Sequence, residues 1–130
     1  MKTLTLKQPW ADAVAHGTKR TENRTWTTAY RGRLAIHSGA GYDPMGRFLI
    51  TDRDALNSWP DTRGAVVAVA DLVDVHFATD GCCSPWGELH TYHWVLDRVT
   101  ALATPLPVKG RQRLWNLPDL LNDPLLTEGN

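Results

Sequence analysis

The chain has 130 residues, 42% of them hydrophobic, and its 14 Lys and Arg match its 14 Asp and Glu for a formal net charge of zero. That is enough apolar material for one compact domain with a core, and the balance excludes bulk attraction to nucleic acid, anionic membrane or acidic partners. No stretch is apolar for long enough to cross a bilayer, and no charged-then-apolar leader opens the sequence, so a cytoplasmic domain is expected.

Leu4 and Leu6 alternate with Thr3, Thr5 and Lys7, the pattern of a short first strand. Pro9 suits the first turn of a helix, where its missing N–H costs nothing. Trp10, Ala13, Val14 and Gly17 share one helical face, and Gly17 fits the left-handed position that ends the helix. Thr21 to Trp26 reads as extended, with Glu22, Arg24 and Trp26 on one face. After a turn at Arg31-Gly32, Arg33 to Ser38 is a strand, Gly39 to Pro44 a loop, and residues 45–57 a helix carried by Met45, Phe48, Leu49 and Leu56. Ala65 to Val75 is the strongest strand pattern, and its near-continuous apolar run predicts burial on both faces. Asp80 to Glu88 is a loop of Gly, Cys and Pro. Tyr92 to Leu102 is a strand that Thr104-Pro105-Leu106-Pro107 breaks. Arg113 to Leu117 is extended, and the tail from Pro118 adds a helical turn. Five or six strands with one or two helices predict an α+β fold: a small β-barrel flanked by helices, forming one domain over residues 1–130 with its core in 3–117.

Charge is unevenly placed along this domain. Residues 1–33 carry seven Lys and Arg against two acids, whereas residues 34–100 carry four against nine. A basic N-terminal third beside an acidic middle points to one cationic face, or to ordinary surface scatter. The basic third holds the most informative segment, Gln8-Pro9-Trp10 through Gly17-Thr18-Lys19-Arg20-Thr21-Glu22-Asn23-Arg24-Thr25-Trp26. A helix opening at Pro9 offers free N–H groups and a partial positive charge, an anion seat that Gln8 flanks. Lys19, Arg20 and Arg24 supply cations for phosphates, Gln8, Glu22 and Asn23 are candidates to read a base or sugar, and Trp10 and Trp26 are candidate walls. The bland alternative makes Pro9 and Trp10 a helix start and a core indole. Glu22 and Arg24, two apart on a strand, form either an ordinary surface ion pair or an arrangement in which Arg24 is held while Glu22 accepts from an exocyclic amine. Buried beside Lys19, Glu22 would instead serve as a general acid or base.

Three further groups stand out. His37, at a strand end before Ser38-Gly39, is either a phosphate or proton carrier or a satisfied strand-end histidine. Lys109-Gly110-Arg111-Gln112-Arg113-Leu114-Trp115 sets cations beside an indole, the chemistry of single-strand or flipped-base binding, with core packing as the alternative for Trp115. Cys82, Cys83, His90 and His93 contain zinc-ligand residue types. Adjacent cysteines lack the usual two-residue gap, so no metal, no cofactor and no disulfide is expected. Glycine-rich phosphate loops and Ser/His/Asp arrangements are absent from the sequence.

Leu4-Thr5-Leu6-Lys7-Gln8-Pro9-Trp10-Ala11, Gly17 through Trp26, Arg31-Gly32-Arg33-Leu34-Ala35-Ile36-His37, the strand after Gly64, Pro107-Val108-Lys109-Gly110 and Leu114-Trp115 together resemble the activating signal cointegrator homology (ASCH) domain, of the PUA-like superfamily. The likeness spans roughly residues 3–117. It implies a β-barrel with flanking helices, a cleft facing the Gln-Pro-Trp helix, and binding of RNA or DNA, single-stranded or with an extruded base. Some bacterial members of that family are N4-acylcytidine amidohydrolases and some have been described as ribonucleases. The amidohydrolase lysine corresponds to Lys19, but Glu22 stands where the amidohydrolase has a threonine. Two readings follow: a nucleic-acid or nucleotide binder using Gln8, Trp10, Lys19, Arg20, Glu22, Asn23, Arg24, Trp26, Lys109 and Arg111, or an enzyme on RNA or modified nucleosides using Lys19, Glu22 and His37. A weaker third reading is a protein-interaction adaptor using exposed tryptophans.

Overall fold

A computed structural model describes residues 1–118. Strands β1 (Lys2–Gln8), β2 (Thr21–Arg24), β3 (Gly32–Tyr42), β4 (Ala65–Ala78), β5 (Thr91–Pro107) and β6 (Leu114–Asn116) form one sheet in the order β2-β5-β4-β3-β1-β6. β1 runs parallel to β3, and every other pairing is antiparallel. Three short helices, α1 (Trp10–Ala15), α2 (Met45–Leu49) and α3 (Arg53–Ser58), complete an α+β domain.

The expected barrel does not close. Among the described residues β2 pairs only with β5, through the four positions Thr21↔Val95 to Arg24↔Tyr92, and β6 only with β1. These short strands are the two edges of an open sheet, and brief edge strands are one way a sheet limits unwanted pairing with other chains.

The run Ala65 to Leu72 is buried throughout, as its continuous apolar character predicts. Its two faces feed separate clusters. Leu34, Ile36, Ala68, Ala70, Leu72 and Trp94 pack with Leu4, Leu6 and the α1 residues Ala11 and Val14. On the other face Ala35, Val66 and Val69 pack with Leu102, Trp115 and Leu117. Trp94 is fully buried, and truncating such an indole costs about 3–5 kcal/mol.

Several local expectations change. β3 runs on through Gly39 to Tyr42, because Tyr42 pairs with Gln8 across the parallel ladder. β5 continues through Pro105 and Pro107, where β4 pairs one side (Val66↔Leu106, Ala65↔Pro107) and no strand covers the other. A residue without an N–H is tolerated on such an open edge. The helix expected over 45–57 breaks in two. Ile50 turns extended to bury against Ala13 and Leu56, and Asp52 restarts the helix by accepting a hydrogen bond from the Ala55 N–H at 3.0 Å. Gly17 does not take the left-handed conformation; a Cβ there would lie 2.8 Å from the Ala13 carbonyl and 2.9 Å from the Trp59 ring. Close packing of α1 on Trp59 is therefore what Gly17 permits. The helical turn expected in the tail falls at residues 119–130, outside the described residues. No helix among the described residues is long and apolar enough to cross a membrane.

Candidate nucleic-acid interface

β1, α1 and β2 are consecutive, and their order places the ends of all three around one hollow. The turn after α1 returns the chain beside Trp10. β2 then carries Glu22 and Arg24 on one face, because strand side chains alternate. The hollow is a cleft of about 1220 Å³ whose lining includes Trp10, Lys19, Glu22, Asn23, Arg24 and Trp26, with Trp86 from the β4–β5 loop and Arg111 and Arg113 from the segment before β6.

At its floor lies an ion triad. Lys19 Nζ is 3.3 Å from Glu22 Oε1 and Arg24 Nη2 is 2.9 Å from Glu22 Oε2. Lys19 is 2% exposed and also donates to the Thr21 carbonyl. Arg24 Nη2 donates in addition to the Thr5 carbonyl at 2.8 Å, whereas its buried Nε has no acceptor. The expected strand-face pairing of Glu22 with Arg24 is thus present, and it is largely desolvated rather than an exposed surface pair. The two cations fix the orientation of the carboxyl group, so its free lone pairs can accept from a bound donor.

Indoles wall the triad. Lys19 Nζ sits 5.5 Å from the Trp10 ring centroid and 5.8 Å from that of Trp86. Trp10 and Trp86 meet edge to face at 6.3 Å, and Trp10 Nε1 donates to Asp43 Oδ2 at 2.9 Å, which fixes the ring. Trp26, also in the lining, packs edge to face on buried Trp94 at 4.7 Å, and the Arg113 guanidinium lies 4.4 Å from the Trp26 ring. Cations within about 6 Å of an indole face are attracted by its quadrupole.

Other candidates are absorbed by the fold. Gln8 is fully buried: its Nε2 donates to the Thr62 carbonyl at 2.8 Å and its Oε1 accepts from the Asp12 N–H at 3.0 Å. Gln8 therefore fills the seat at the start of α1 that an anion was expected to take, and both ends of its amide are committed. Arg20 Nη1 donates to the carbonyls of Val14, Gly17 and Lys19, satisfying the orphan acceptors at the end of α1, and it does not line the cleft. Asn23 lines the cleft as a strut. Its Nδ2 donates to the Trp86 carbonyl at 2.9 Å and its Oδ1 accepts from the Glu88 N–H at 2.9 Å.

His37 is fully buried outside the cleft. Its Nδ1 pairs with Thr5 Oγ1 at 3.2 Å and its Nε2 with the Val108 carbonyl at 2.7 Å. Burial pushes its pKa down, against the opposing pull of the Val108 carbonyl, so it is a neutral core group. Trp115 is a core indole whose Nε1 donates to Thr5 Oγ1 at 3.1 Å. Lys109 is exposed on a shallow neighbouring hollow that it shares with Arg111.

Trp86 and Asp43 are cleft residues that local pattern did not single out, and Arg113 enters from the Lys109–Trp115 motif, of which only Lys109 and Arg111 were expected to bind. The zinc-type residues also regroup. His76, Cys82, Cys83 and His93 come together, while His90 is not among them.

Comparison with known proteins agrees with this architecture. Residues 4–99 match the ASCH domain family. The chain is 49% identical over 128 residues to human Activating signal cointegrator 1 and 26% identical over 129 residues to the mouse protein of that name. Each alignment covers 88% of this chain but 22% of the relative, so the chain spans less than a quarter of the length of either. In fold it resembles the crystal structure of a mutant ZmASCH protein from Zymomonas mobilis, with a TM-score of 0.58, 13% identity, and coverage of 92% of this chain and 91% of that one.

Proposed function

We propose, from the premise that this chain belongs to the ASCH domain family, that its cleft binds one base of a single-stranded or locally opened nucleic acid together with the adjoining backbone. The observation that carries this reading is the Lys19–Glu22–Arg24 triad sharing one cleft with Trp10, Trp86 and Trp26. A planar base would stack on an indole of the cleft lining. Glu22, fixed by its two cations, accepts from an exocyclic amine or ring N–H. Arg113 and Arg111 at the mouth meet the phosphates that enter and leave. The cleft volume of about 1220 Å³ is above the 300–1000 Å³ usual for small-ligand pockets, and this favours a nucleotide with flanking backbone over a free nucleoside.

The test is binding of labelled single-stranded RNA and DNA, matched duplexes, and duplexes with one unpaired base, each at low and high salt. Expected are tighter binding of single-stranded or unpaired-base ligands and affinity that falls as salt rises. No binding of any of these at low salt ends the proposal.

The 3.3 Å contact of Lys19 with Glu22 also supports a second reading, an acid/base pair acting on RNA or an N-acylated nucleoside. Turnover of such substrates that is lost in Lys19→Ala and Glu22→Gln with the fold retained would favour it. Tight binding without turnover would favour the binder.

A further inference from the structure

Away from the cleft floor, the base of the β4–β5 hairpin holds four side chains whose arrangement neither the fold nor the cleft requires. His76 and His93 are directly paired across the ladder, and Cys82 and Cys83 sit in the loop that joins the two strands. One ligand atom from each lies within 4.8 Å of all the others. Cys82 Sγ is 3.3 Å from His76 Nε2, 3.6 Å from His93 Nδ1 and 3.5 Å from Cys83 Sγ; Cys83 Sγ is 3.6 Å from His76 Nε2. A tetrahedron built on the usual zinc–sulfur and zinc–nitrogen bonds, about 2.3 and 2.0–2.1 Å, has edges of roughly 3.3–3.8 Å. The four measured edges fall in that range.

The far nitrogen of each imidazole is also anchored. His76 Nδ1 meets Asp74 Oδ2 at 2.6 Å, and His93 Nε2 meets the Glu88 carbonyl at 2.5 Å. Each acceptor holds the proton on that nitrogen and leaves a lone pair on the nitrogen that faces the thiols. This is how carboxylates and carbonyls orient metal-bound histidines. Two sulfurs and two imidazole nitrogens gathered this closely suit tetrahedral zinc, and four protein ligands leave no open position for catalysis. We propose that His76, Cys82, Cys83 and His93 form a structural zinc site, the two thiols binding as thiolates and releasing their protons to solvent.

The adjacent cysteines reach one ion because the loop is coiled tightly about it. Cys83 takes a positive φ of 62°, the Gly87 N–H returns to the Cys83 carbonyl at 2.8 Å, and a Cβ on Gly87 would lie 2.5 Å from the His93 ring. The same loop carries Trp86 and Glu88, which Asn23 fastens to β2. The ion would thus brace one wall of the cleft, but the site stands whether or not the cleft binds nucleic acid.

The test uses the full chain, reduced anaerobically and stripped of metal. Zinc is titrated against a chromophoric chelator, and cobalt(II) is followed by absorption. Expected are one zinc per chain and a tetrahedral cobalt spectrum with a thiolate-to-cobalt charge-transfer band. Asp74→Asn, on an exposed carboxylate, should weaken zinc about 10- to 100-fold. His90→Ala should leave loading unchanged, whereas Cys83→Ser and His76→Ala, with circular dichroism checking their fold, should lose the charge-transfer band or weaken it. If reduced wild type takes up no stoichiometric zinc, if its cobalt spectrum is octahedral without thiolate bands, or if His90→Ala abolishes loading, the proposal is overturned. Failure here together with intact nucleic-acid binding would remove the zinc site and leave the cleft reading standing.

Discussion

Two carboxylates among the described residues are each gripped by two cations, and their surroundings differ. Glu22 is held by Lys19 at 3.3 Å and Arg24 at 2.9 Å, on the floor of a cleft walled by indoles. Asp71 on β4, two strands from β2 in the sheet, is held by Arg33 at 3.4 Å and Arg98 at 2.5 Å and does not line that cleft. The Lys19 side chain is 3% exposed, the Arg98 side chain 65%. An ion triad is therefore not by itself a binding feature. In one place it fastens strands around a carboxylate as buried as Glu22, with one of its two cations out in solvent. In the other, desolvation and aromatic walls turn the same chemistry into a preorganised acceptor.

Lys19→Ala tests this contrast most severely. It leaves Glu22 with one cation in a dry setting, and breaking a buried pair by removing a partner costs about 3–5 kcal/mol. Because Arg24 remains, we expect the low end, about 3 kcal/mol by denaturant titration. A loss below about 1 kcal/mol would place the Glu22 triad in the same energetic class as an exposed pair and erase the distinction.

Trp26→Ala comes next and concerns the walls. If the indoles are what separates the two triads, removing one should weaken single-strand binding by about 1–3 kcal/mol, the usual worth of one base-stacking contact. Trp26 also packs on Trp94, so melting must be measured in parallel. Trp26→Phe should recover most of the affinity; affinity unchanged in Trp26→Ala would show that this wall does not touch the ligand.

These effects lie where the sequence was easiest to read. Lys19, Glu22, Arg24, Trp10 and Trp26 fall within one strand–helix–strand segment, where local periodicity fixes which side chains share a face. Trp86 and Arg113 reach the cleft through long-range chain returns, and His76 joins His93 only through the register of β4 on β5. No local spacing encodes those meetings. Gln8, Arg20, Asn23 and His37 have the chemistry of ligand-binding residues, but backbone groups near strand and helix ends must find partners, and these side chains supply them. The open sheet was equally hidden, because closure depends on whether β2 and β6 meet, and neither sequence states its neighbour.

A smaller effect separates floor from rim. Lys109 and Arg111 are exposed and outside the triad. If they meet phosphates, Lys109→Ala and Arg111→Ala should each lower the slope of log affinity against log salt by about 1 and weaken all sequences alike. Stability should stay unchanged. A slope that does not move would confine recognition to the cleft floor and to Arg113.

Arg98→Ala should give the smallest change, under about 1 kcal/mol, since Arg98 is largely exposed and Arg33 still holds Asp71. Its signature is in the pH dependence. Burial pushes the Asp71 carboxyl up, but the hydrogen bonds and charges of Arg98 and Arg33 outweigh it and hold the carboxyl below its ordinary value of 3.8. A depressed folded value means that the stabilisation is complete above the unfolded value and is lost as pH falls through the folded one. Without Arg98 the folded value should move back toward 3.8, so the difference between wild type and variant should be full near neutrality and shrink as pH drops below about 4. Melting temperatures at neutral pH and at acid pH check this. A difference that persists unchanged in acid would mean that Arg98 acts by packing its stem rather than by its charge, and the pairing at Asp71 would then be no counterpart to the one at Glu22.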